Sequence, residues 1–240
     1  MHSSEPAPSR ESSPRSLPPG FYPLRALAAL RELIKNPDDT RHVFTIVESL
    51  SGRAPLRLLA SRAQILPILR DRAALERMPE GSLGHAYLAF VDRERIDADG
   101  LVQASVDGET GALVRGADLE YVRDRLRDTH DLWHAVSGYQ GDLYGETALL
   151  AFSTVQTLNP GLVLIVLTAL LRARDPQLYR LVFGGLASGA RAEWLPPVEW
   201  ESLLPLPLEE VRRRLRVAHA PNYAPVRSAD LRMTGELAPA

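Results

Sequence analysis

The sequence predicts an all-α protein with a single helical domain. Three observations carry this prediction: apolar residues recur at three- and four-residue spacing through most of the chain, Pro and Gly fall between those runs, and only residues 92–116 change to Asp, Gly and short apolar pieces. Within that stretch Asp107-Gly108 is the best turn signal, so a small β-hairpin insertion is expected near 97–115.

Residues 1–20 are dominated by Ser, Pro and charge and cannot bury enough apolar surface to offset the entropy of ordering, so a disordered tail is expected there. The helical domain is expected over 21–218. Leu24, Leu27, Ala28, Leu30 and Ile34 lie at helical spacing; Pro37-Asp38-Asp39 then restart a helix with Val43, Ile46, Val47 and Leu50, closed by Ser51-Gly52. Leu56 to Leu75 is helical in pattern, and Pro67 predicts a kink or two helices. Pro79-Glu80-Gly81-Ser82 opens a short helix bearing His85, Tyr87 and Phe90. Asp118 is a suitable N-cap for a long helix through Leu126 and Trp133 to Val136, closed by Ser137-Gly138.

Thr147 to Leu171 contains no charge and is long enough to raise a membrane span, but Asn159-Pro160-Gly161 breaks it, which favours two buried helices. Pro176 starts another helix, whose Gly184-Gly185 and Gly189 allow close approach to a neighbour. A basic helix from Leu208 to Val217 ends the domain, and an irregular C-terminal tail is expected over 219–240.

Composition narrows the function. Lys+Arg 28 against Asp+Glu 30, a formal net charge of -2, provides no basic surplus for phosphates, so no nucleic acid partner is expected. The absence of cysteine removes disulfides, thiolate metal sites and a thiol nucleophile together, leaving nitrogen and oxygen as metal donors. The first residues lack the apolar core of a secretory signal, so the expected compartment is the cytoplasm.

The chemistry concentrates in one place. His130-Asp131-Leu132-Trp133-His134 puts two imidazoles at i and i+4, on one helix face and one turn apart. Glu146 follows twelve residues after His134, beyond a connection containing Gly138, Gly141 and Gly145 that lets the chain double back. His130, Asp131, His134 and Glu146 are therefore the candidate metal residues. Such donors suit a divalent metal, Zn foremost, with Fe, Mn, Co and Mg as alternatives. Asp131 is either a fourth ligand or an acceptor that orients an imidazole. Four ligands would close the site; three would leave a position for water or substrate. The same residues also read without a metal, as partly buried helix histidines hydrogen-bonded to Asp131 and Glu146. His85 and His219 are expected to be structural, and His42 a solvated helix residue; Tyr121, Trp133, Tyr139 and Tyr144 are expected in the core.

His130-Asp131-x-x-His134, eleven residues and Glu146 resembles the HDxxH-x11-E metal motif of the family of the fourth-numbered Coq protein of coenzyme Q (ubiquinone) biosynthesis. The likeness continues in family order through Asn36-Pro37-Asp38-Asp39-Thr40 to Leu50-Ser51-Gly52, Leu83-Gly84-His85-Ala86-Tyr87, Tyr121-Val122-Arg123 to His134, Gly145-Glu146 and Val155-Gln156-Thr157. It covers roughly residues 22 to 217, and Asp99 to Gly116 departs from it. The resemblance implies an all-helical protein binding a divalent metal and a polyprenylated aromatic acid or other prenyl lipid. It also implies dimers, contact with other quinone-biosynthesis proteins and a peripheral place on the inner membrane.

Three functions follow. The first is a metal-dependent decarboxylase (lyase) acting oxidatively at C1 of a polyprenylated hydroxybenzoate, the activity the resemblance implies. The second is a non-catalytic prenyl-lipid scaffold of a quinone-synthesis complex. The third is a metallohydrolase resembling the HExxH proteases, with Asp131 where those have Glu, one methylene shorter in its reach to a metal-bound water. The uncharged helices Ala148 to Leu158 and Leu162 to Leu171, directly after Glu146, offer either a wall for a prenyl tail or plain core.

Overall fold

The computed structural model describes residues 22–50, 64–96 and 117–233, with side chains of the last segment from Glu120 onward. The predicted tail over 1–20 and the predicted hairpin near 97–115 lie outside the described residues. Among the described residues the fold is all-α, and the one β pairing is an isolated bridge between Ser82 and Pro207.

Helices α1 (Pro23–Lys35) and α2 (Arg41–Ser49) pack as a pair, tied by the Tyr22 amide donating to the Ser49 carbonyl at 2.7 Å. The buried face of α1 differs from the predicted one. Ala26, Ala29 and Leu33 are buried while Leu24 is 81% exposed. The helix is apolar over much of its circumference, so periodicity alone leaves its inner face undecided, and the two alanines turn inward.

Of the predicted Leu56 to Leu75 segment, the part before residue 64 lies outside the described residues, and the described part is two helices that do not divide at Pro67. Pro67 itself is compatible with a helix. It lies in the first turn of α3 (Leu66–Arg70), where its missing N–H costs nothing. The break falls at Asp71, whose carboxylate caps α4 (Arg72–Glu76) by accepting from the Ala74 amide at 2.9 Å. Ser82 caps α5 (Leu83–Glu94) through the His85 amide.

The single long helix predicted from Asp118 to Val136 is divided into α6 (Ala117–Asp128) and α7 (His130–Ser137). The interruption falls at Thr129, whose hydroxyl donates back to the Arg125 carbonyl at 2.9 Å beside the retained amide bond to the same oxygen at 3.1 Å. Buried Arg125 anchors α6 with a bidentate pair to Glu201, at 2.5 and 2.9 Å, and a bond to the Val198 carbonyl.

The uncharged stretch is indeed two helices, α8 (Leu143–Thr157) and α9 (Pro160–Ala173), with Asn159 capping the second through the Gly161 amide. Neither is long and apolar enough to cross a membrane, nor is any other described helix. α8 packs most extensively on α10 (Pro176–Arg191). Here the glycines are required: a Cβ on Gly185 would sit 2.3 Å from the Ala148 carbonyl oxygen, and one on Gly189 2.7 Å from that of Phe152. Two backbones thus meet across matching four-residue steps. This contact makes α8 core, with Ala148, Leu149, Ala151 and Phe152 buried, whereas α9 leaves Val163, Leu167 and Leu171 exposed along one stripe.

Short α11 (Trp200–Leu203) buries Trp200, and α12 (Leu208–Leu215) packs on α7 and α5. Beyond it the chain runs irregularly to Arg227, and α13 (Ser228–Met233) adds a short helix in the segment predicted to be irregular.

Candidate metal centre

The two histidines start and cross the first turn of α7, and Glu146 lies in the first turn of α8. The structure brings all three together. Glu146 Oε1 is 3.2 Å from His130 Nε2, and Oε2 is 2.9 Å from His134 Nε2. One ligand atom from each side chain lies within 4.8 Å of the others, so His130, His134 and Glu146 could hold a metal ion.

The other ring nitrogens face oxygen. His134 Nδ1 is 3.0 Å from the Tyr139 carbonyl, and His130 Nδ1 is 3.3 Å from Asp131 Oδ1. Asp131 is buried and meets the far side of the His130 ring. His134 is further held by Phe90 of α5, stacked on it with centroids 4.7 Å apart and planes at 14°, while the two imidazoles meet edge to face. The His134 side chain is only 1% exposed and that of Glu146 38%, so the group opens to solvent on the carboxylate side.

Electrostatics favours the charged forms of His130 and Glu146. Burial alone would depress the His130 imidazole, but Glu146 and Asp131 outweigh it and raise it to about 10. Burial alone would likewise raise the Glu146 carboxyl, yet the two imidazoles hold it well below the usual carboxylate range.

The connection between α7 and α8 is built for doubling back. Gly138 adopts φ +79°, a left-handed turn that a side chain would strain, and a Cβ there would strike the His219 ring. Asp142 caps α8 by accepting from the Tyr144 amide at 3.1 Å. Its carboxylate also accepts from the Val226 amide at 2.9 Å and from the Tyr223 hydroxyl at 2.6 Å. Burial, aided by Asp142, pushes the Tyr223 phenol above its ordinary range.

The other histidines among the described residues stand apart from this cluster. His85 Nε2 faces the Glu76 carbonyl at 3.2 Å, His42 Nε2 lies 3.4 Å from Asp39, and His219 Nδ1 faces the Ala220 carbonyl at 2.6 Å. Trp133, Tyr139 and Tyr144 are buried in the core, whereas Tyr121, also expected there, is only partly buried. Sequence reasoning missed Phe90, Asp142 and Tyr223 as neighbours of the centre. Asp142 before a helix had a legible capping signal; Phe90 and Tyr223 reach the centre through tertiary packing, which no local pattern records.

Fold and site together define an all-helical protein with a His-His-Glu group able to hold a metal ion. Residues 43–221 match the family of coenzyme Q (ubiquinone) biosynthesis protein Coq4, and the chain belongs to that family. It is 31% identical over 181 residues to the ubiquinone biosynthesis protein coq4, mitochondrial, of Aspergillus clavatus, covering 74% of this chain and 61% of the relative. The chain thus spans about three fifths of that relative's length. It is 28% identical over 235 residues to the mitochondrial COQ4 protein of Clavispora lusitaniae, covering 87% of this chain and 71% of the relative. These relatives are named mitochondrial, in contrast to the cytoplasmic expectation for this sequence. The crystal structure of a Nostoc punctiforme protein assigned provisionally to ubiquinone biosynthesis has the same fold, with a TM-score of 0.58 and 21% identity over 82% of this chain and 98% of that one.

Proposed function

We propose that this protein binds one divalent metal ion through His130, His134 and Glu146 and acts at the ring of a polyprenylated aromatic acid in ubiquinone biosynthesis. One observation carries the metal reading: both imidazoles turn Nε2 to the same carboxylate while an oxygen engages each Nδ1. That is the arrangement in which ligating histidines are held in tautomer and direction. Zn fits this donor set, as do Fe, Mn and Co.

In this reading Asp131 orients His130 and is not itself a ligand, so three protein ligands leave a coordination position for substrate. A bound divalent ion supplies a Lewis acid and a template for the ring carboxylate and its neighbouring oxygen. The half-exposed Glu146 side admits the polar end of the substrate, and buried Phe90 and His134 keep water from the far side. The overall change replaces the ring carboxylate with hydroxyl: CO2 leaves, dioxygen supplies the new oxygen, and a reductant supplies two electrons as the second oxygen atom becomes water.

The exposed stripe of Val163, Leu167 and Leu171 on α9 favours a second reading, a prenyl-lipid or membrane-surface scaffold without turnover among quinone-synthesis proteins. The metallohydrolase reading is weaker, because Asp131 faces His130 Nδ1 and not the side where the Nε2 atoms converge.

The test is elemental analysis of the purified protein beside mass spectrometry of its organic extract, for wild type, Glu146→Ala and Asp131→Asn. About one transition metal per chain, lost in Glu146→Ala and retained in Asp131→Asn, with a prenylated acid in the extract, is the expected result. Metal lost equally in both variants would sink the three-ligand site. Absence of metal from every sample would sink the metal reading altogether.

A further inference from the structure

We infer that Tyr223, 77 residues beyond Glu146 in the sequence, is a positioning residue for the metal centre: its hydroxyl latches the loop that aims both His134 and Glu146. The inference rests on the metal reading above and adds to it a residue outside the motif.

Residues 138–142 make two connections to the centre. At one end the Tyr139 carbonyl meets His134 Nδ1 at 3.0 Å and sets the direction of that ring. At the other end Asp142 caps the helix whose first turn carries Glu146. The bond between these two functions is the Tyr223 hydroxyl. It accepts from the Gln140 amide at 3.0 Å and donates to Asp142 Oδ2 at 2.6 Å, closing the loop across its width. Gly145, the residue directly before Glu146, makes room for it, since a Cβ there would lie 2.3 Å from the Tyr223 oxygen.

The surrounding segment is docked independently of that hydroxyl. The Ala220 amide donates to the Ser137 carbonyl, and the Leu143 amide to the Val226 carbonyl. The Gln177 side chain bonds both the carbonyl and the amide of Ala224, Arg180 reaches the Asn222 carbonyl, and Arg227 pairs with Glu94. Deleting one oxygen therefore leaves the segment in place and leaves the Gln140 amide and Asp142 Oδ2 without this partner. A residue that only pins the C-terminal segment would, on loss of its hydroxyl, lower stability without touching metal affinity. A residue that holds the loop changes affinity and coordination geometry together.

The experiment titrates Co(II) into metal-stripped full-length wild type, Tyr223→Phe, Gln177→Ala and His134→Ala. It follows the d–d absorption, which reports coordination geometry, and the thermal midpoint of each stripped protein. The expected result is Co(II) affinity about 10- to 100-fold weaker in Tyr223→Phe, the range found when groups supporting metal ligands are removed, with an altered absorption spectrum. Gln177→Ala, which weakens the docking of the same segment elsewhere, keeps the wild-type affinity and spectrum. Tyr223→Phe matching wild type in affinity and spectrum overturns the inference while leaving the metal reading intact. So does an equal loss in Gln177→Ala, which would trace the effect to docking in general. Wild type that binds Co(II) no better than His134→Ala overturns the metal reading, and the role of Tyr223 falls with it.

Discussion

Phe90 lies flat on His134, with ring centroids 4.7 Å apart and planes at 14°, although the two residues are on different helices. The stack covers one face of the imidazole and opposes rotation of the ring about its Cβ–Cγ bond. Phe90 is itself 2% exposed, so it serves the core and the site at once. Phe90→Ala is expected to cost about 3–5 kcal/mol of stability and to weaken metal binding, because the ring loses its wall. Urea unfolding beside a metal titration checks both; a loss under about 1 kcal/mol would contradict the packing role.

The charged cluster makes the metal-free protein sensitive to pH. His130 is raised from 6.5 to about 10 on folding, so its contribution to stability is complete below pH 6.5 and is lost as pH climbs through about 10. Glu146 is depressed, so its contribution is present above its ordinary 4.5 and is lost as pH falls below that. Urea midpoints of stripped wild type are expected to fall between pH 6.5 and 10, and those of His130→Asn to fall less. Parallel profiles would refute this. Apparent metal affinity should rise over the same interval, since ion and proton compete for His130.

The glycines of α10 differ in what they can accept. Gly185→Ala drives a methyl into the Ala148 carbonyl, and about 1–3 kcal/mol of destabilisation is expected. At Gly184 the nearest atom to an added Cβ is the Tyr139 hydroxyl at 3.7 Å, so Gly184→Ala should gain up to about 1 kcal/mol from helix propensity. Thermal midpoints moving in the same direction for both variants would refute the close crossing of α8 and α10.

The Arg125–Glu201 pair offers an asymmetric test. The Arg125 side chain is 6% exposed and that of Glu201 19%, and Glu201 is held below the usual carboxylate range by Arg125 against the opposing effect of burial. Glu201→Ala removes the carboxylate that balances a buried guanidinium and should cost about 3–5 kcal/mol. Arg125→Met removes the buried charge itself and should cost less. Chemical denaturation of the two variants decides it, and the reverse order would show that the pair is not desolvated.

Much of this molecule is written in local pattern. Apolar periodicity and Pro, Gly and Asn punctuation located α2, α5, α8, α9 and α10, because helix formation and its caps depend on residues within a turn of one another. Other helix ends were less legible, since α5, α9 and α12 close on left-handed Arg95, Arg174 and Arg216, where no glycine marks the stop. At Thr129 the structure divides a helix that periodicity joined.

The sequence by itself determined that two imidazoles share a helix face and that Glu146 begins the next helix after a flexible return, because spacing of 3.6 residues per turn and glycine content are local properties. Tertiary structure alone decided that the carboxylate lands between the two Nε2 atoms, that Phe90 stacks on His134 and that Tyr223 bonds Asp142. Those contacts join segments whose separation along the chain carries no periodic signal. They are set by which helix faces pack together, and on α1 that choice fell to Ala26 and Ala29 over the larger Leu24.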